Sequence, residues 1–209
     1  MGANAEDPWA KPWAIGNELR RLSSVPWIRL GFLAHGVPWG HGWRIFGMPR
    51  IQLHRGSKLE LGDGLELRSW PASNPLTPHH PVVFATRAPA AVIRLGSHCG
   101  LTGATLVAAT RIELGDRVLV GANAVLVDTD FHPVDAARRR EQPNAGATAP
   151  IYIEDDVFIG MNAIILKGVR LGAGCTVGAG SVVTNDVPPG AVVAGNPAAV
   201  VREGPRTTS

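Results

Sequence analysis

Residues 153–188 divide without remainder into IEDDVF, IGMNAI, ILKGVR, LGAGCT, VGAGSV and VTNDVP. The first place of each hexapeptide is a branched aliphatic: Ile153, Ile159, Ile165, Leu171, Val177 and Val183. The fifth place holds Val157, Ala163, Val169, Cys175, Ser181 and Val187. The same register is read from Leu95, Leu101 and Val107, restarts at Leu114, Val120 and Leu126, and is fainter at Leu61 and Leu67. A period of six suits neither an α-helix nor a simple hairpin meander. It suits a coil whose flat sides are short strands, each turning one large aliphatic inward and placing a small residue near the corner. The expected fold is therefore all-β, a parallel β-helix. Its coils stack about 4.8 Å apart and bury their aliphatics only against each other, so roughly three or more are needed for stability. Gly160, Gly172, Gly178 and Gly180 are expected at corners that need tight approach or positive φ.

Composition agrees with this reading. The 209 residues contain 25 Gly and 17 Pro, 45 % are hydrophobic and 18 % charged, which describes one turn-rich domain able to bury a core without disulfides. The formal net charge of +3 comes from nearly balanced bases and acids with no aromatics interleaved among the bases, so nucleic acid is not an expected partner. Cys99 and Cys175 both occupy fifth places, in LGSHCG and LGAGCT, and are expected to be packing residues. The opening MGANAEDPWA lacks the basic start and apolar core of a signal peptide, pointing to the cytoplasm. The most apolar stretch, VPWIRLGFLAHGVPWG at 25–40, is broken by Arg29, prolines and glycines. It is too short to span a bilayer but compatible with peripheral membrane contact.

The run VFIGMNAIILKGVRLGAGCTVGAGSVVTNDVPPGAVVAGNPAAVVR resembles the hexapeptide-repeat acyltransferases, and the resemblance extends from about Ile51 to Arg202. Within that family it is most similar to sugar O-acetyltransferases of the maltose, galactoside and Nod-factor type. WRIFGMPRI, DTDFHP and the RRR run resemble relatives in polysaccharide biosynthesis. The resemblance implies a left-handed coil, a homotrimer, acetyl-CoA as co-substrate with no metal, and a sugar-containing acceptor. It places the coenzyme near Gly160, Met161, Ala179, Thr184 and Asn185, with Arg202 available for a phosphate. Asn185 stands where the family usually has Lys, so Lys167 or Arg170 are alternative phosphate partners. Phe158 stands where sugar acetyltransferases commonly carry Trp, and no Asn is evident for the acyl oxygen, leaving only the region around Thr102 or a backbone N–H. The histidine set of the metal-dependent carbonic anhydrases sharing this fold is missing; His79 and His80 lie in TPHHP.

Between Leu126 and Ile153 the register stops, and a polar, Pro-punctuated segment must leave the coil as a loop, taken as 127–150. It carries His132 in DTDFHP. An alcohol attacking a thioester is a poor nucleophile unless a base takes its proton, and imidazole has the suitable pKa. His132 is the expected base, and the resemblance implies the same; Asp128 or Asp130 is expected to hold its other ring nitrogen. Residues 1–50, with most of the six tryptophans (Trp9, Trp13, Trp27, Trp39, Trp43, Trp70), are expected to form a partly helical cap over the end of the coil, with a short helix near Asn17 to Ser23. Residues 203–209 are expected to be a flexible tail.

Overall fold

The computed structural model describes residues 12–204; Trp9, the opening decapeptide and the tail beyond 204 lie outside that range. Three parallel sheets wrap one core as a left-handed β-helix. Face one stacks Arg44–Phe46, Glu66–Arg68, Gly100–Thr102, Leu119–Val120, Phe158–Ile159, Thr176–Val177 and Val192–Gly195, closed by Ala198–Arg202 running antiparallel. Face two stacks Arg50–Gln52, Val83–Thr86, Thr105–Ala108, Val125–Val127, Ile164–Ile165 and Val182–Val183. Face three stacks Lys58–Leu61, Val92–Leu95, Arg111–Leu114, Ile151–Ile153 and Arg170–Leu171. The ladder thus begins at Arg44, ahead of the boundary expected at 51.

Register converts the hexapeptide period into continuous apolar rows. On face one, Leu67, Leu101, Val120, Ile159, Val177 and Val193 are ladder partners in succession, all buried. One expected core position is corrected. Val107 pairs with Ala85 and Val127 and is half-exposed, whereas Leu106 joins the buried row through Phe84 and Leu126. The corner after Leu101 is one residue short of the regular six, because Gly103 turns it at φ +50° with Pro78 packed against it. Fifth-place residues Val157, Ala163, Val169, Cys175, Ser181 and Val187 are all buried. Burial pushes the Cys99 and Cys175 thiols up to about 11, since low-dielectric surroundings disfavour a thiolate.

Two segments leave the coil. Residues 69–82 project from the edge between faces one and two, and 128–150 from the edge between faces two and three. At the N-terminal end lies one long helix, α1 (Pro12–Ala34), of 23 residues, which contains the short helix expected at Asn17 to Ser23. Its inner side contributes Ile28 and Phe32 to the core, where the Phe32 ring meets Trp39 and Trp43 edge-on at 5.9 and 5.2 Å. Trp43 donates its indole N–H to the Gly62 carbonyl at 2.7 Å. Trp13 and Trp27 take no part in this cap; they are 67 % and 75 % exposed.

Candidate active site

The 128–150 excursion is anchored before it departs. Asp128 is fully buried, and its carboxylate accepts from the backbone N–H groups of Ala109 (2.5 Å), Thr110 (2.7 Å) and Arg111 (2.7 Å) and from the Thr110 hydroxyl (2.8 Å). Those donors belong to the corner of the neighbouring coil, where the strand ladder supplies no carbonyl for them; the carboxylate takes that place. Past Asp128 the two arms of the loop close on each other. Asp130 N–H donates to the Ala147 carbonyl at 2.9 Å and Ala149 N–H to the Asp128 carbonyl at 3.0 Å. Gly146 lies so close to the Phe131–His132 backbone that a Cβ there would sit 2.6 Å from the Phe131 carbonyl carbon. Phe131 adopts a left-handed φ of 59°, and this turn throws the next side chain outward. The far part of the loop is a short helix, α2 (Ala136–Glu141), capped by the Asp135 carboxylate. Arg139 reaches back from it to the carbonyls of Pro133 (2.8 Å) and Val134 (2.9 Å).

His132 is thereby presented on an organised arm. Its side chain is exposed, and Nδ1 lies 2.5 Å from the Pro143 carbonyl oxygen. A carbonyl can only accept, so Nδ1 carries a proton, and in the neutral ring the lone pair is then on Nε2, facing away from the contact. Asp128 and Asp130, the carboxylates expected to hold the ring, are both engaged elsewhere, and the contact of Nδ1 is to this backbone carbonyl. Asp128 is spent on the corner, and the Asp130 carboxylate is paired with the Lys167 ammonium at 2.8 Å. Lys167, an alternative phosphate partner in the sequence reading, is therefore committed to the loop.

A groove of about 460 Å³ runs down face one and along the edge where faces one and two meet. Gly160, Met161 and Ala179 line it, with Leu119, Val120, Phe158 and Thr176 on its floor and walls. Gly160 also has a packing reason to be glycine: a Cβ would fall 2.5 Å from the Ala179 nitrogen of the next coil. Thr102 lines the same groove, its hydroxyl 3.5 Å from Asn74 Nδ2. Asn74 and Leu76 come from the 69–82 excursion, which the sequence reading did not assign to the site. Its signal was present in the break of register after Leu67, followed by a proline-rich stretch. The Asn74 Oδ1 accepts from Leu76 N–H at 2.9 Å, which leaves Nδ2 as the donor turned to the groove. Above Arg68 and Asn74 the groove meets a wider cavity of about 730 Å³ between α1 and residues 71–77, walled by Trp13, Asn17, Glu18 and Arg44.

The expected site residues divide between two edges of the prism. Gly160, Met161 and Ala179 follow face-one strands, whereas Thr184 and Asn185 follow Val182–Val183, at the edge shared with Asp130, His132 and Lys167. Thr184 and Asn185 are exposed, and Asn185 donates to the Thr184 hydroxyl at 3.0 Å. Arg202 is exposed at the end of the antiparallel return strand. In a three-sided prism the edge between faces two and three lies opposite face one. The groove and the imidazole of a single chain are accordingly on opposite sides of it.

Residues 150–185 match the family model described as the hexapeptide repeat of succinyl-transferase. Over 89 residues, 43 % of this chain, the sequence is 51 % identical to the 2,3,4,5-tetrahydropyridine-2,6-dicarboxylate N-acetyltransferase of Staphylococcus aureus. That match spans 32 % of the curated protein's own length. The structure is similar to a hexapeptide-repeat-containing acetyltransferase of Vibrio cholerae, with 32 % identity, 68 % of this chain and 72 % of that one covered, and a TM-score of 0.53. A second structure of the Vibrio protein, complexed with acetyl coenzyme A, aligns over 99 % of this chain and 93 % of its own at 25 % identity and a TM-score of 0.53. A galactoside acetyltransferase in complex with coenzyme A is 28 % identical over 78 % of this chain and 64 % of its own, with a TM-score of 0.51.

Proposed function

This chain belongs to the hexapeptide-repeat acetyltransferases, and we propose that it moves an acetyl group from acetyl-CoA directly to a hydroxyl of a sugar or polysaccharide precursor, with His132 as general base. The observation that carries the reading is the Nδ1–H bond from His132 to the Pro143 carbonyl, which sets the tautomer and leaves Nε2 as an oriented acceptor on a braced loop. In this reading Nε2 takes the acceptor's hydroxyl proton as the oxygen attacks the thioester carbonyl. The tetrahedral intermediate then expels the CoA thiolate, and the imidazolium returns the proton to its sulfur. No acyl-enzyme is formed. The side chains offered as nucleophiles elsewhere in the core, Cys99 and Cys175, are buried with their thiols held protonated.

The groove on face one suits the pantetheine arm. It is narrow and apolar along Val120, Phe158 and Val177, and the Gly160 and Gly178 corners admit a chain close to the backbone. The acetyl coenzyme A complex of the Vibrio protein and the coenzyme A complex of the galactoside acetyltransferase support coenzyme binding by similarity. Asn74 Nδ2 is the amide donor assigned to the acyl oxygen, filling a role the sequence left open. The acceptor takes the wider cavity toward α1, where Trp13 offers a face for a sugar ring.

Since groove and base occupy opposite sides of one chain, the working site needs the groove of one copy against the loop of another, as cyclic association supplies. This reading favours the homotrimer that the family resemblance implies, and it explains why Thr184 and Asn185 share an edge with His132 rather than with Gly160. Complementation tests it. His132→Ala and a groove-blocked Ala179→Trp chain should each be inactive alone, yet co-expression should restore activity at about a quarter of the sites on random mixing. No recovery, with both variants correctly assembled, would place base and groove in the same subunit and refute the shared site. A panel of glycosides, plain alcohols and amines, read by thiol release, tests the acceptor. Preference for amines would move the reading toward the N-acetyltransferase chemistry of the Staphylococcus relative.

A further inference from the structure

The outer side of α1 is apolar and faces solvent. Leu19, Leu22, Leu30 and Leu33 are 63, 52, 56 and 70 % exposed, and Trp27 is 75 % exposed. At about 100° per residue, Leu19, Leu22, Leu30 and Leu33 fall with Pro26 into one sector, opposite Ile28 and Phe32, which enter the core. Trp27 borders that sector, and one arginine stands at each side of it, Arg20 beyond Trp27 and Arg29 beyond Leu22. The two guanidiniums are held outward over aromatic rings, Arg20 4.1 Å above Trp70 and Arg29 5.3 Å above Trp39. The acid within the helix, Glu18, is already bound to Arg21 at 2.5 Å and Arg44 at 3.4 Å. Beside the sector lies an apolar hollow of about 380 Å³ lined by Pro26, Leu30, Leu33 and Val37, with Arg29 on its wall.

A monomeric soluble protein rarely leaves such a continuous apolar face uncovered. We propose that α1 docks the protein on an anionic phospholipid surface, lying in the plane of the bilayer. The leucines and Trp27 enter the headgroup and acyl boundary, the hollow beside Leu33 receives the upper part of an acyl chain, and Arg20 and Arg29 meet lipid phosphates on either side. The charge pattern selects this occupant. Two copies of the face brought together would confront arginine with arginine and have no spare carboxylate on the helix to neutralise them, whereas a phosphate-rich surface complements both edges. The helix lies on the membrane rather than through it: among the described residues no helix is long and apolar enough to cross. The inference does not depend on acyl transfer.

Flotation of the full chain with vesicles tests it, using phosphatidylcholine alone and phosphatidylcholine carrying about 30 % phosphatidylglycerol at low salt. The protein should float with the anionic vesicles and at least tenfold less with the neutral ones, and raised salt should weaken the binding. Leu30→Glu with Leu33→Glu should reduce flotation tenfold or more, and Arg20→Gln with Arg29→Gln should remove the preference for phosphatidylglycerol. These positions are exposed, so the melting temperature and turnover of a water-soluble acceptor should stay as in the parent chain. Failure of the parent chain to float with either vesicle overturns the proposal, as does undiminished flotation of the glutamate variant. Conversion of the glutamate variant to a smaller assembly in light scattering also overturns it, assigning the face to a second copy.

Discussion

Replacing Asp128 by Asn separates the two roles open to a carboxylate beside a histidine. The Asp128 carboxylate accepts four hydrogen bonds, three from backbone N–H groups at residues 109–111 and one from the Thr110 hydroxyl. An amide can set its oxygen toward Thr110 and Arg111, but its NH₂ then faces the Ala109 N–H, donor against donor. The Ala109 bond is lost, leaving a part-buried amide unpaired at about 1–3 kcal/mol, and the other three bonds lose the strengthening of a charged acceptor. Together these give roughly 2–4 kcal/mol of destabilisation, or a fall in melting temperature on the order of 10 °C for a chain of this size. The His132 ring keeps its Pro143 partner, so kcat of the variant, measured well below its transition, should stay within a few-fold of the parent. Thermal unfolding followed by circular dichroism, with steady-state thiol release at 20 °C below the lower midpoint, reads both quantities. A variant with unchanged stability and turnover reduced by two or more orders of magnitude would show that Asp128 acts on the imidazole and refute the assignment.

Four further outcomes follow from the same geometry. His132→Ala should lower turnover by a factor of order 10² to 10⁴ with CoA affinity nearly unchanged, measured by thiol release and calorimetry; equal loss of both would make the loop structural. Asn74→Ala should lower kcat by about 10² or more with little effect on coenzyme affinity, and a change confined to KM would move Asn74 to the acceptor. Cys99 and Cys175 should stay unmodified by a thiol reagent at pH 8 until the protein unfolds. Folded thiols near 11 against 9.0 for the exposed group mean that the native state holds more protons between those values, so their contribution to stability is intact below pH 9 and is lost as the pH rises toward 11. Gly160→Val should destabilise the coil stack, because its Cβ would press on the Ala179 backbone, and unfolding should show this even without coenzyme present.

The period of six was enough to determine the fold because each coil repeats the same local problem. An inward aliphatic every sixth residue and a small residue at each corner admit few other solutions, and the buried row from Leu67 to Val193 is that period made spatial. The loop carrying His132 was legible for the complementary reason: a polar stretch that breaks the register cannot stay inside the prism. Local sequence did not reveal the register at Leu106, since one short corner at Gly103 depends on packing against Pro78, a distant residue. Nor did it reveal the duty of Asp128. A carboxylate next to a histidine in sequence looks like its partner, yet hydrogen bonds are assigned by stacking, and the coil beneath placed three unpaired N–H groups closer. The division of the candidate site between two edges is likewise tertiary. Which corner a residue reaches is a matter of the strand it follows and the face that strand joins, and only the wound coil puts Gly160 on one edge and His132 on the other.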